Sequence, residues 1–442
     1  MKIALISPKG RLFSNEPRLL QFWENAKVKN GSKLLSPHFS LWAGFNLGLL
    51  VIAALTPKRF HVELIDENLN LNGIDFEKYY DLVAITTITQ QATRAYEIAD
   101  EFRKRGCKVI IGGIHATIIP HEAKMHADSV VIGEGEGLWP QLLNDFLDNK
   151  IKPFYSTRNL FNLRKSPIPR YDLLNPKDYK VIWLQASRGC PFDCEFCAAS
   201  KIFGIKFRHK TIEQVIKEIK VIKKIWKNPQ INFSDDNMFI DRKYVVELIK
   251  RLIPLKIRWA ASTDISVAKD ESFLKLLRKA GCMILFIGFE SLSKKGLSTI
   301  DRYGWKCKQL DNYAAYVEKI QSYGIGVQGA FILGLDSDDA SVFKKTSDFI
   351  VNNNFYAAQI TVLTPLPGTR LRERLDREKR LLPEGNWDRY SFLDVNFIPK
   401  RMSSKDLQDG ILKVYQEVYS KENRFKIASH FKKIYTNLSG II

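Results

Sequence analysis

The chain has 442 residues, enough for two domains with separate cores, and its 45% hydrophobic and 26% charged residues are ordinary for a globular protein. It holds no run of about 20 uncharged apolar residues, which argues against a membrane-spanning helix, and its N-terminus lacks an apolar core long enough for a signal peptide. The net charge of +20 is spread along the chain, with basic stretches at 201–258 and 400–442; it fits contact with anionic lipid better than sequence-specific nucleic-acid binding. A cytoplasmic location is expected, with the basic surface allowing peripheral contact at the inner face of a membrane.

Residues 1–150 alternate short apolar strands with helical patterns. Strands are expected at Ile3–Ile6, Val62–Ile65, Leu82–Ile85, Val109–Ile111 and Val130–Ile132, with helices at Leu47–Leu55 and Ala92–Arg105. This alternation predicts a doubly wound parallel sheet, whose ligand would sit in loops beyond the strands' carboxyl ends. Those loops are rich in glycine and hydroxyl groups: Ser7 to Gly10, Thr86 and Thr87 to Gln90, Gly112-Gly113-Ile-His115-Ala116-Thr117, and Gly133-Glu134-Gly135-Glu-Gly137. Glycines at such places either let a polar cofactor approach the backbone closely or simply turn the chain. Residues 151–180, with Pro153, Pro167, Pro169 and Pro176, read as an extended linker.

From Val181 strands and helices alternate again, with strands at Val181–Gln185, Ile231–Phe233, Ile257–Ser262, Met283–Gly288, Gly326–Leu333 and Ala358–Leu363. Helical patterns separate them at Ile212–Trp226, Arg242–Leu252, Glu271–Ala280, Lys308–Tyr323 and Ala340–Asn352. Six such units predict a partial barrel over 181–370 with its chemistry at the strands' C-terminal ends. Directly after the first strand stands Cys190-x3-Cys194-x2-Cys197, three of the chain's six cysteines. Three thiolates on one loop can hold three irons of a [4Fe–4S] cluster and leave the fourth open. A structural zinc would need a fourth ligand, which no other cysteine supplies at ligand spacing, and His209 lies twelve residues past Cys197. A disulfide is the remaining alternative.

The later strand ends supply further candidates. Asp235 and Asp236 follow the second strand, as polar ligands or as a helix cap. Ser262 and Asp264 follow the third, Glu290 and Ser291 the fourth, and Thr364 in Thr-Pro-Leu-Pro-Gly the sixth. Gly329 lies in the fifth strand. Lys201 and Arg208 follow the cysteine loop and serve either as anion partners or as a solvated basic face. Cys107 and Cys282 adjoin glycines and read as small buried residues, whereas Cys307 has no evident packing role and is a candidate hydrogen-atom donor or acceptor. Residues 371–442 predict a helical extension: a charged helix at Leu371–Leu382, an aromatic loop at Trp387–Phe392, a helix capped at Ser403 or Ser404 and running to about Tyr419, and a basic segment from Lys421 to Lys433 that packs on the barrel or lies on a membrane.

These motifs carry a resemblance. The cysteine array, with Phe196 before its last cysteine, is similar to the signature of the radical S-adenosylmethionine (SAM) enzymes. Thr86-x-Ile88 followed by Gly112-Gly113 resembles the motifs of cobalamin-binding domains, and Gly-Gly-Ile-His-Ala-Thr, Ala127-Asp and Gly-Glu-Gly-Glu resemble the N-terminal domain of cobalamin-dependent radical SAM enzymes. Asn386-Trp-Asp-Arg-Tyr and Ile398-Pro-Lys-Arg-Met-Ser403 are similar to the C-terminal extension of the subgroup that contains hopanoid C-methylases and archaeal lipid ring-forming enzymes.

The resemblance implies cobalamin held by Ser7, Thr86, Thr87, Gly112, Gly113, His115, Ala116, Thr117, Gly133, Glu134 and Gly135. It implies SAM near Phe196, Lys201, Arg208, Asp235, Asp236, Ser262, Glu290, Ser291, Gly329 and Thr364. The histidine motif Asp-x-His-x-x-Gly is absent, which implies cobalt without a ligand from that motif; His38 reads as a loop residue and His115 as a pocket or capping residue. The implied activity is cleavage of SAM to a 5′-deoxyadenosyl radical and methylation of an unactivated carbon in a lipid or other hydrophobic small molecule. A flavodoxin- or ferredoxin-type donor would supply electrons. Ring formation or rearrangement with the same cofactors is the first alternative. RNA methylthiolation is more remote, since residues 1–150 hold only Cys107. A non-catalytic cofactor sensor would need an effector domain, and none is visible.

Overall fold

The computed structural model describes residues 1–10, 46–69, 73–157, 159–298, 300–383 and 387–439; the expectation for His38 lies outside them. Among the described residues fourteen strands, numbered in chain order, form two six-stranded sheets and one short hairpin.

The first sheet holds β1 (Lys2–Ser7), β2 (His61–Asp66), β3 (Leu82–Thr86), β4 (Lys108–Gly112), β5 (Ser129–Ile132) and β6 (Phe154–Ser156). Its order is β2-β1-β3-β4-β5-β6, parallel throughout. The strands between the edges are buried on both faces, which is why they read as unbroken apolar runs. The sixth strand corrects the expectation of five. It sits in the stretch read as linker, and its three residues beside Pro153 are too few to show a period. The strand order reverses between β1 and β3, and a crevice beyond their carboxyl ends is where such sheets bind ligands.

The second sheet runs β14-β13-β12-β11-β10-β7, also parallel. Its members are β7 (Val181–Leu184), β10 (Gln230–Phe233), β11 (Arg258–Thr263), β12 (Cys282–Glu290), β13 (Gly326–Leu333) and β14 (Ala357–Val362). This is the expected half-barrel. A hairpin of β8 (Ser187–Arg188) and β9 (Arg208–His209) brackets the cysteine loop. The fourth expected helix is divided: a 3-10 turn at Cys307–Asn312 precedes the α-helix Tyr313–Ser322. The charged helix is shorter than read, Arg370–Arg377.

Three features join these parts. The helix Leu47–Leu55 is apolar all round because both sides are buried: Leu49 and Ala53 belong to the first sheet's core and Leu50 to the barrel's. Tyr171, from the stretch read as linker, is fully buried, and its hydroxyl donates to Glu218 at 2.7 Å with the Trp183 carbonyl 3.0 Å away. The helix Ser404–Val418, capped by Ser403, covers edge strand β14, whose backbone would otherwise be open to pairing. Tyr415 donates to the Ile360 carbonyl at 2.6 Å, while Tyr419 donates to the Ala358 carbonyl at 2.6 Å and accepts from its amide at 3.0 Å. The final helix, Lys421–Ser439, buries Ile427 and Phe431 and stacks Tyr435 under Arg278, so it packs on the barrel; Phe425 faces outward, 64% exposed. Among the described residues, no helix is long and apolar enough to cross a membrane.

Tyr419→Phe strands both polar groups of Ala358 in a buried place, so it should cost about 1–3 kcal/mol. The check is a lower midpoint in urea unfolding than for the wild type.

Candidate active site

The cysteine loop leaves β7 and is supported from three sides. From below, the two carboxylates after β10 hold its backbone: Asp235 accepts from the Ala186 amide at 3.0 Å and from the Ser187 hydroxyl, and Asp236 accepts from the Gly189 amide at 2.9 Å. Neither caps the following helix, whose cap is Asp241. Burial pushes the Asp235 carboxyl up to about 7 and raises Asp236 as well. Gly189 is required here, since its φ is +94° and a Cβ would stand 2.4 Å from the Lys206 carbonyl oxygen. From the side, Arg370 pairs with Asp193 at 2.5 Å, and Arg374 pairs with Glu195 at 2.8 Å. From above, residues 300–306 lie on the loop, the Glu195 amide donating to the Ile300 carbonyl at 2.9 Å and Phe192 stacking on Trp305 at 6.0 Å.

All six cysteines are free thiols, so the disulfide alternative fails. Cys190, Cys194 and Cys197 lie within one another's fields and are partly screened from water, and burial raises all three thiols, Cys190 to about 11. No three histidine, cysteine or acidic side chains among the described residues converge on a single ion position. A cubane cluster does not ask them to, because each thiolate binds a different iron. Three half-buried thiols on a braced loop, with no fourth protein ligand, fit such a cluster.

Of the residues expected near SAM, Glu290 ends β12 in a left-handed conformation (φ +63°) and pairs at 3.0 Å with Lys306, which the sequence reading did not single out. Ser262 is partly exposed at the end of β11, and Ser291 is buried just past β12. Thr364 is buried, its hydroxyl donating to the Val362 carbonyl at 2.9 Å. Phe196 packs against the barrel core and Lys201 is exposed. A Cβ at Gly329 would stand 2.5 Å from the ring of Phe355, so packing alone accounts for that glycine. Cys307 is half-buried on the far side of the 300–306 loop, near the Lys294 carbonyl, while Cys107 and Cys282 are buried as expected.

The first sheet's loops and the barrel mouth enclose one cavity. Thr86, Gly112, Gly113, Thr117, Gly133, Glu134 and Gly135 line it on one side, and Gln185, Arg188 and Ser234 on the other. The helix Leu47–Leu55 supplies an apolar wall. Thr117 ties the two glycine loops, donating to the Gly113 carbonyl at 2.7 Å and accepting from the Gly133 amide at 3.0 Å. Gly113 (φ +94°) cannot carry a side chain: a Cβ would lie 2.7 Å from the Thr87 amide and carbonyl. Ser7, Thr87, His115 and Ala116 are buried but do not line the cavity. His115 turns inward, Nδ1 3.4 Å from the Thr89 hydroxyl and Nε2 3.5 Å from Glu122, and burial lowers its pKa. A cradle of backbone edges and hydroxyls beside an apolar wall fits a large polar-edged macrocycle.

Across this cavity the two halves are joined by buried charges. Arg188 donates to Glu134 at 2.7 Å and to Glu136 at 2.5 Å, and Arg208 grips Glu134 at 3.0 and 3.1 Å. Burial works to raise the Glu134 carboxyl, but the two arginines outweigh it and hold it below the usual range. Glu134, expected at cobalamin, and Arg208, expected at SAM, therefore meet each other. No signal in the sequence marks this contact, which spans 74 residues.

Such a site, with thiols for a cluster on one side and a macrocycle cradle on the other, is that of an enzyme built around two prosthetic groups. Residues 184–350 match the radical SAM superfamily, 43–143 the B12 binding domain, and 369–440 a domain of unknown function, DUF4070. Bacteriochlorophyllide d C-12(1)-methyltransferase of Chlorobaculum tepidum is 32% identical over 84% of this chain and 82% of its own. Hopanoid C-2 methylase of Rhodopseudomonas palustris is 28% identical over 86% of this chain and 73% of its own. The fold is shared with the radical SAM methyltransferase TsrM of Kitasatospora setae, solved with cobalamin and a [4Fe–4S] cluster (TM-score 0.67, 14% identity, covering 96% of this chain and 89% of that one). The chain belongs to the cobalamin-dependent radical SAM methyltransferases. Its cofactors are a [4Fe–4S] cluster, SAM and cobalamin, and it needs an external reductant and a substrate.

Two substitutions test the separate halves. Cys194→Ala should abolish retention of about four irons after anaerobic reconstitution, leaving cobalamin content unchanged. Gly113→Ala should weaken cobalamin binding about tenfold and leave iron content unchanged; iron assay and the corrin absorption spectrum read the two outcomes.

Proposed function

We propose that this enzyme methylates an unactivated carbon of a hydrophobic small molecule, with a tetrapyrrole macrocycle as the leading substrate class. The observation that carries the reading is that two relatives more than 30% identical over most of this chain are named as bacteriochlorophyllide d methyltransferases. When bound, the cluster supplies the electron that splits SAM, and cobalamin supplies the methyl group. The protein's own part is placement and exclusion of water. The apolar helix Leu47–Leu55 and the buried Arg188 close the cavity, Glu290 and Asp236 stand at strand ends beside the cysteine loop to take polar groups of SAM, and Thr86, Gly112, Gly113 and Gly133 leave the corrinoid room to lie against backbone. Among the described residues no histidine lines the cavity.

A polycyclic lipid is the second reading, favoured by the match to hopanoid C-2 methylase and by the basic final helix with its exposed Phe425. Ring formation remains the rival reaction, and anaerobic magnesium-protoporphyrin IX monomethyl ester cyclase of Cereibacter sphaeroides is 26% identical over 78% of this chain.

The test is anaerobic turnover of reconstituted enzyme with a tetrapyrrole panel and, separately, a polycyclic lipid extract. Methylation requires one S-adenosylhomocysteine and one 5′-deoxyadenosine for each product heavier by one CH2, with two electrons drawn from the reductant. Product from the lipid extract alone would replace the tetrapyrrole reading. 5′-Deoxyadenosine with a changed substrate and no S-adenosylhomocysteine would overturn methylation itself.

A further inference from the structure

Lys306 lies outside every motif read from the sequence, yet it is a buried cation beside the cluster thiols. Its ammonium donates to the Gly288 carbonyl at 2.7 Å and to Glu290 at 3.0 Å, and both side chains are about nine-tenths buried. A buried ammonium needs such partners, and the Glu290 carboxylate and the Gly288 carbonyl supply them. The position is built, not incidental. Asp301 accepts from the amides of Tyr303 at 3.0 Å, Trp305 at 2.8 Å and Lys306 at 3.2 Å, shaping a loop that rests on the cysteine loop. The Arg302 amide donates to the Phe192 carbonyl at 3.3 Å. The partner carboxylate comes from the other direction, where β12 ends at Glu290 after a register shift against β13. Lys306 directly follows Trp305, whose ring stacks on Phe192 between Cys190 and Cys194, and Glu290 is its ion-pair partner, so both charges sit against the cysteine loop.

An iron–sulfur cluster becomes one unit more negative on reduction, and its potential follows the charges and hydrogen bonds around it. In a site shielded from water and salt, charges are little screened. A fixed cation favours the reduced state and a fixed carboxylate the oxidised one. We propose that Lys306 and Glu290 form an opposed pair that sets the reduction potential of the [4Fe–4S] cluster, the lysine raising it and the glutamate lowering it. The pair would hold the cluster reducible by an external donor while leaving it a strong enough reductant to cleave SAM.

The experiment is an EPR-monitored redox titration of the reconstituted full chain without SAM, so that contacts of Glu290 with SAM play no part. Lys306→Met should shift the midpoint to lower potential, Glu290→Gln should shift it to higher potential, and Lys306→Arg should stay near the wild type. Shifts of the same sign in the Met and Gln variants, or no shift in either, would overturn the proposal. If one variant fails to hold iron, the sign of the other decides. If both fail, the pair is a mechanical prop for the loop and the proposal falls.

Discussion

Arg188 carries its charge into a space closed by the two carboxylates of another domain, and the geometry of the active site hangs on that contact. It immediately precedes Gly189 and Cys190, while Glu134 and Glu136 belong to the glycine loop beyond β5. The Arg188 ring contact with Phe203 and its bond to Gln185 at 2.7 Å fix the guanidinium in one orientation. Taking three charges out of water costs several kcal/mol for each ion, and their attraction repays it only in good geometry. Such a network is a poor way to gain stability and a good way to specify register. A shift of one domain against the other by a single residue would leave a carboxylate or a guanidinium buried without a partner. The cysteine loop and the glycine cradle are thereby set at one distance and one angle, so that groups held at the two sites would face a shared substrate in fixed alignment.

The same economy governs the cysteine loop. Asp235, Asp236, Arg370 and Arg374 all serve its backbone or its acidic residues, so much of the charge near the thiols is structural. The helix Arg370–Arg377 shows why strand-end logic alone misses part of a site. Its arginines stand about 180 residues beyond the loop they brace, in a segment whose composition reads only as a solvated helix.

What was legible in the chain follows from locality. Parallel strands buried on both faces announce themselves as apolar runs, and the barrel rule then places the cysteine loop, Asp236 and Glu290 at one mouth without knowledge of any contact. Glycines were legible as positions but not as reasons: Gly113 must lack a side chain because of Thr87 backbone in the cavity wall, whereas Gly329 lacks one because Phe355 fills the space behind the sheet. Partners across domains were illegible, since nothing local couples Glu134 to Arg208 or Glu290 to Lys306. His115 was read as a pocket or capping residue, and its ring faces the domain interior because Thr89, Glu122 and Trp387 supply its surroundings there.

Trp387 also helps a half-barrel suffice. An open barrel leaves a flank and two edges to manage. The tyrosines of the extension cover β14, and the first domain occupies the open mouth. The extension then returns to that domain, where Trp387 donates to Glu122 at 2.8 Å; just before it, Gly368, left-handed at +73°, makes room for Ile118, where a Cβ would come within 2.8 Å. Together with the helix Leu47–Leu55 and the Arg188 bridge, this gives three separate lines of contact between the first domain and the rest of the chain. A primary carbon radical would be lost to any nearby hydrogen donor or to oxygen, so enclosure is as necessary as alignment. The extension thus stands in for the barrel strands this fold lacks, at the β14 edge where they would pair.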